Sequence, residues 1–282
     1  MENIHPTPVN QLRLYMKADK IKVRICRIWK SMIPGTVQRY IALHCVFVNK
    51  AQHAVEGCTS NGDHDVMASK IEASGCYEIM DFWTVKIRAQ YKVVPHETLI
   101  LFSSKTVFRK LVSVLPPIPC HRFFLQYYNT LYPRLNNVDI LTNVIGHIST
   151  VQPLESKQIN QRIAYKCDVR IENIRKEEVM VTLWGDIGEA FSSLSMDAFS
   201  LPVVVFTSLK VKLYFVFLKT YFWLIYFDKI ALNSTGSSLF FIDPDIPEVN
   251  AYKSVFSDYT ESSKQANEDE ILQTAKGLRL MN

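Results

Sequence analysis

The chain has 282 residues and a hydrophobic content of 48%, enough for packed cores and, at roughly 150 residues each, for about two domains. Its net charge of +5 is mildly basic, well short of a basic tail, so charge alone assigns no partner. Six cysteines, Cys26, Cys45, Cys58, Cys76, Cys120 and Cys167, fall in no C-x-x-C pair and beside no histidine pair at zinc-finger spacing, which predicts reduced, buried thiols and argues against a metal site.

Met1 to Asn10 lacks a charged segment followed by an apolar core, so it does not read as a secretory leader. In Ile21 to Trp29, Ile21, Val23 and Ile25 alternate with Lys22, Arg24 and Cys26, which predicts a half-buried strand with a basic outer face. Tyr40 to Val48 is a second strand run. Asp65 to Ser74 carries Val66, Ala68 and Ile71 near helical spacing, with Gly75 as its stop. Tyr77 to Met80, Phe82 to Tyr91, Leu99 to Phe102 and Val107 to Leu115 read as strands. In the second of these, Val85 and Ile87 alternate with Lys86 and Arg88.

Pro116-Pro117-Ile118-Pro119 marks a boundary. The connecting segment, 116–137, holds Phe123, Phe124, Tyr127, Tyr128, Leu131 and Tyr132. It is too apolar for a free tether and is expected to pack against one domain or to be helical. The pattern then restarts, with strand runs in Asp139 to Val151, Tyr165 to Ile171, Val179 to Trp184, Leu201 to Phe206 and Leu209 to Leu213. Asp186 to Phe191 reads as a helical turn with Phe191 inward. Each half is thus several short strands with one short helix in the middle, the pattern of a small closed barrel repeated in tandem.

Two stretches stand out. Val211 to Phe227 is almost wholly apolar, but Lys212 and Lys219 interrupt it, and its aromatic and β-branched residues favour strands over a membrane helix. In Val181 to Asp186, Val181 and Leu183 alternate with Thr182 and Trp184, and Gly185-Asp186 ends the strand. Leu183 goes to a core, so Trp184 stands on the other face. There it either stacks on a nucleobase or caps a small cluster under a loop. Residues 257–282 read as a polar, mobile tail.

Four stretches together resemble the plant-type large subunit of replication protein A, in a divergent form of its tandem central OB-folds. They are Ile21 to Trp29, Tyr77 to Phe82, Val181 to Asp186 and Asp243-Pro-Asp-Ile-Pro-Glu248. The resemblance implies a mainly all-β chain of two five-stranded OB-fold barrels, each with a short helix, joined by the aromatic-rich linker. The first barrel would span 10–115 and the second 138–256, with an apolar insertion near 215–227. The family stacks two aromatic residues per fold on bases and meets phosphates with basic ones. This places Tyr40 and Phe82 in the first fold and Trp184 and Tyr214 in the second. Arg24, Arg27, Lys30, Arg39, Lys86, Arg88 and Lys212 are the expected phosphate contacts. For each basic residue the alternative is a solvated strand face, and for Tyr40 it is core packing.

The resemblance therefore implies a binder of single-stranded DNA, with RNA left open, in nuclear DNA replication, repair or recombination. No cofactor, metal or membrane is expected. The family's other subunits are a weaker expectation, because the zinc-ribbon fold that carries those contacts is not among the matched stretches. OB-folds also serve as protein-interaction modules, which is the second reading. An enzyme is not expected: the chain has no G-x-x-x-x-G-K-[ST], H-E-x-x-H or G-x-S-x-G.

Overall fold

Two series of alternating strands close into two rings. The structure is a computed structural model and describes residues 5–32, 40–59, 62–159, 162–195, 201–219 and 224–258. The first ring contains β1 (Lys17–Met32), β2 (Tyr40–Val48), β3 (Ala54–Thr59), the helix α1 (His64–Ala68), β4 (Cys76–Lys86) and β5 (Thr98–Phe102), with β6 (Val107–Lys110) added on β4. The strand order is β1-β2-β3-β5-β4, and β4 pairs back onto β1. Only β3 and β5 run parallel. Five strands so closed leave no open edge within the ring.

Ile21, Val23 and Ile25 point inward as expected, beside Leu43, Phe47, Val55, Ile79 and Ile100. A register shift between Ile25 and Arg27 lets the long β1 bend around the barrel. Met67 of α1 is fully buried in the same core. The helix ends at Ala68 rather than Ser74, although Ile71 is still buried.

The second ring repeats the plan. It contains β7 (Thr142–Val151), β8 (Glu155–Ile159), β9 (Arg162–Glu172), β10 (Glu178–Trp184), α2 (Asp186–Ser192), β11 (Val203–Lys219), β12 (Leu224–Asn233) and β13 (Leu239–Ile242). The order β10-β12-β11-β7-β9 closes through β10–β9, and β10 and β12 form its parallel pair. β8 extends β9, and β13 adds to β11. Val181, Leu183, Leu232, Val204 and Phe206 fill the interior. Phe191 of α2 lies fully buried against Phe206 and Phe240.

The described parts of the apolar run, 211–219 and 224–227, lie on the paired strands β11 and β12. β11 and β12 stay in unbroken antiparallel register from Lys210↔Asn233 to Lys219↔Leu224. Strand propensity decides its form, and among the described residues no helix is long and apolar enough to cross a membrane.

The linker packs against both barrels instead of one. Its regular structure is two 3-10 turns, Tyr128–Thr130 and Tyr132–Arg134, since its prolines interrupt any longer helix. Ile118 and Phe124 lie on the first barrel with Trp29, Val46 and Val48. Leu131 enters the core of the second barrel, and Phe123 packs with Ile145 and Val205. A helix over 247–258, not anticipated from sequence, closes that last cluster through Val249, Tyr252 and Phe256. These three positions keep helical spacing but are too few to announce a helix in advance.

The barrels meet directly. The guanidinium of Arg27, 2% exposed, donates to Ser208 Oγ at 3.2 Å and to the Val93 carbonyl at 3.4 Å. Lys92 pairs with Ile140, and Leu141 joins the cluster of Cys26, Trp29, Val46 and Val93.

Candidate nucleic-acid interface

Register places the outward residues of the second barrel in rows, because directly paired residues share a face. One row runs Asp168, Thr182, Asn233, Lys210 across β9, β10, β12 and β11. A neighbouring row is Arg170, Met180, Ala231, Lys212. Trp184 pairs with Lys166, and Tyr214 with Lys229. Trp184, Tyr214 and Lys212, expected from sequence to act together, therefore lie on one sheet face. Lys166, Lys210, Lys229 and Asn233 were missed, because only the β9–β10 and β11–β12 registers reveal which residues stand beside Trp184.

Trp184 is half-buried and held. Its Nε1 donates to Asn233 Oδ1 at 3.0 Å, and its backbone N–H donates to Ser234 Oγ at 2.8 Å. Thr182 Oγ1 donates to Asp168 Oδ1 at 2.7 Å, and Lys166 is ion-paired to Asp168 and Glu155. Burial works against the charge of Lys166, but Asp168 and Glu155 outweigh it and raise its pKa. Lys212 and Lys229 stand exposed. Lys210 Nζ lies 4.1 Å from the centroid of the Tyr91 ring, in the β4–β5 loop of the first barrel. The face thus offers a fixed indole, a phenol and several ammonium groups, the combination that holds a stacked base beside its phosphate.

The first barrel corrects several expectations. Phe82 is 0% exposed and belongs to the core, so it cannot receive a base. The cause is Asp81, whose φ of 57° lies in the left-handed region and resets the alternation begun by Tyr77 and Ile79. Phe82 turns inward, and Trp83 turns outward at 54% exposure. Trp83 lies on β4, the counterpart in the ring of β11, which carries Tyr214. It pairs with Leu101 and Lys17, and the row continues through Cys58 to His44. Tyr40 is half-buried at the start of β2, with Lys30 Nζ 5.0 Å from its ring centroid; a register shift pairs it with Met32 and turns it to the side of β2 opposite His44.

The basic residues of this barrel are divided. Arg27 is buried in the joint and is unavailable to a phosphate; burial pulls its pKa down to about 10, which leaves it charged. Arg88 is ion-paired to Glu56, which is 0% exposed and lies 3.5 Å from His44 Nδ1. Burial alone would raise the Glu56 pKa; His44 and Arg88 outweigh it and hold the carboxyl below its ordinary value. Arg24 donates to the Cys76 and Cys120 thiols beside the linker. Lys30 faces Asp65 at 3.5 Å. Lys86 is exposed at the end of β4. Arg39 lies outside the described residues. Among the described residues no group of His, Cys, Asp and Glu is placed to hold a metal ion.

No protein-family model matches the sequence, and no curated protein sequence does. Among solved structures, the chain is similar to one from a replication protein A heterotrimer bound to single-stranded DNA. Identity is 19%, the TM-score is 0.61, and the match covers 89% of this chain and 55% of that one. The chain therefore spans about half of that solved chain. Weaker likenesses are to fission yeast Pot1 with single-stranded DNA (8% identity, TM-score 0.29, 92% and 95% covered) and to a murine DNA-binding protein with double-stranded DNA (12%, 0.34, 79% and 98%). Neither of these carries an argument at such scores. Ring order, the parallel third and fifth strands, the helix between the third and fourth, and the first likeness agree: the chain is a tandem OB-fold protein.

Proposed function

We infer that the protein binds single-stranded DNA non-catalytically, by stacking bases on aromatic side chains and meeting phosphates with lysines. The observation that carries this is the outer face of the second barrel, where Trp184 and Tyr214 share a surface with Lys210, Lys212 and Lys229. In the first barrel Trp83 extends the same chemistry, and Phe82 has no part in it. The process served is nuclear DNA replication, repair or recombination, as the resemblance to replication protein A implies. The test is anisotropy titration with a labelled oligo-dT at two salt concentrations. If those three lysines each meet a phosphate, log K falls with log salt at a slope of about −2.

A second reading has its own support in the first barrel. Leu14, Tyr15 and Trp83 are exposed together, Tyr15 being tied to the Thr84 carbonyl beside Trp83. Exposed large apolar side chains on adjoining backbone segments fit a protein partner. Binding to such a partner would change little with salt, which separates the two readings in one experiment.

A further inference from the structure

The β4–β5 loop holds one aromatic residue in an uncommon backbone state. Tyr91 has a φ of 59°, a left-handed conformation that a bulky residue keeps only where its surroundings impose it. Both barrels impose it here. The Tyr91 N–H donates to the Val138 carbonyl at 2.5 Å, at the entrance to the second barrel. Its own carbonyl accepts from Arg88 Nη2 at 2.8 Å. Lys92, the next residue, exchanges backbone hydrogen bonds with Asp139 and Leu141. Lys210 of β11 then sets its ammonium over the ring of a residue that remains 36% exposed. Core packing does not account for so constrained and yet so open a side chain. The ring stands where the two barrels meet, beside the lysine that ends the row running from Asp168 through Asn233.

We propose that Tyr91 and Lys210 form a crossing subsite for a single strand passing from the second barrel to the first; this rests on the single-strand reading above. The Tyr91 ring supports a base, and Lys210 meets the adjacent phosphate. Arg27 and the Lys92–Leu141 pairing hold the two sides of the crossing in fixed relation. A strand short enough to sit on one barrel does not need the crossing, whereas a longer one does.

The experiment compares wild type with Tyr91→Asn, since asparagine tolerates the left-handed backbone. Labelled oligo-dT of about 8 and about 20 nucleotides are used, since one such fold takes roughly 4–16 nucleotides. Tyr91→Asn is expected to weaken the longer oligonucleotide about 5- to 150-fold, as loss of one stacked base does. The shorter one changes less than about twofold. Tyr91→Phe keeps wild-type affinity for both. If the asparagine variant melts early, Tyr91→Gly removes the ring with no steric cost at that φ and replaces it. Equal losses on the two lengths, or none on the longer, overturn the crossing subsite. Failure of the wild type to bind either oligonucleotide overturns the single-strand reading itself, and the subsite with it.

Discussion

The interface is decided by which side chains turn outward. Phe82 and Trp83 make the point, being adjacent aromatics with opposite fates because Asp81 resets the strand. Phe82→Ala should destabilise by about 3–5 kcal/mol. Trp83→Ala should leave stability within about 0.5 kcal/mol, as surface changes do. If Trp83 stacks, only its variant weakens oligonucleotide binding in protein shown to be folded; thermal melts and titrations on both variants separate the roles. Glu56 belongs to the same scale. Its folded-state pKa is depressed, so its ion pair stabilises above the unfolded value near 4.3 and stops doing so as pH falls through the folded value. Glu56→Gln should therefore lose stability at neutral pH and show a shallower loss below about pH 4 than wild type. An unchanged acid limb in denaturant melts would show that the carboxylate is not protonated in the acid transition. The sequence exposed Trp184 because its strand alternates without interruption up to Gly185. It could not expose Trp83, since a left-handed aspartate leaves no mark in the residue pattern.

At the scale of elements, the strand runs were largely legible. Period-two alternation located β1, β9 and β10, strand-like apolar runs located β2 and β4, and the turn after Trp184 located α2. Gly185 sits in that turn at φ 66° and ψ −141°, a conformation open essentially to glycine alone. Gly185→Ala should cost about 1–3 kcal/mol, although a Cβ there would touch nothing within 4 Å. A calorimetric shift indistinguishable from zero would mean that the turn places no constraint on this residue. The β11–β12 pair hid behind its composition: continuous apolar residues carry no alternation, so the length of the pairing was invisible before the register. The lysine set was invisible for a related reason. Lys166 meets Trp184 through the register of the β9–β10 pair, and Lys210 through β11–β12 and the parallel β12–β10 pairing, and spacing along the chain encodes neither.

For the whole molecule, the outcome is two rings made into one body. The linker contributes to the core of both, and Arg27 closes the joint. Calorimetry of the intact chain should therefore show one cooperative unfolding transition, and two well-separated transitions would mean that the barrels are energetically independent. Tandem organisation was readable as a pattern that starts again after Pro119, but the shared joint was not. Arg27 looked like a solvated basic residue; the register shift after Ile25 pairs it with Val46 on the outer face of the first barrel, and only the apposed second barrel, through Ser208, buries it there. The account as a whole stands on Trp184 as a base platform beside lysines. Its most direct test is oligo-dT titration of Trp184→Ala against wild type, with Trp184→Phe alongside. The predicted result is a loss of about 1–3 kcal/mol in the alanine variant, largely restored by phenylalanine, with the salt slope kept. Unchanged affinity in a folded alanine variant would contradict it and remove the second barrel's outer face as the binding surface.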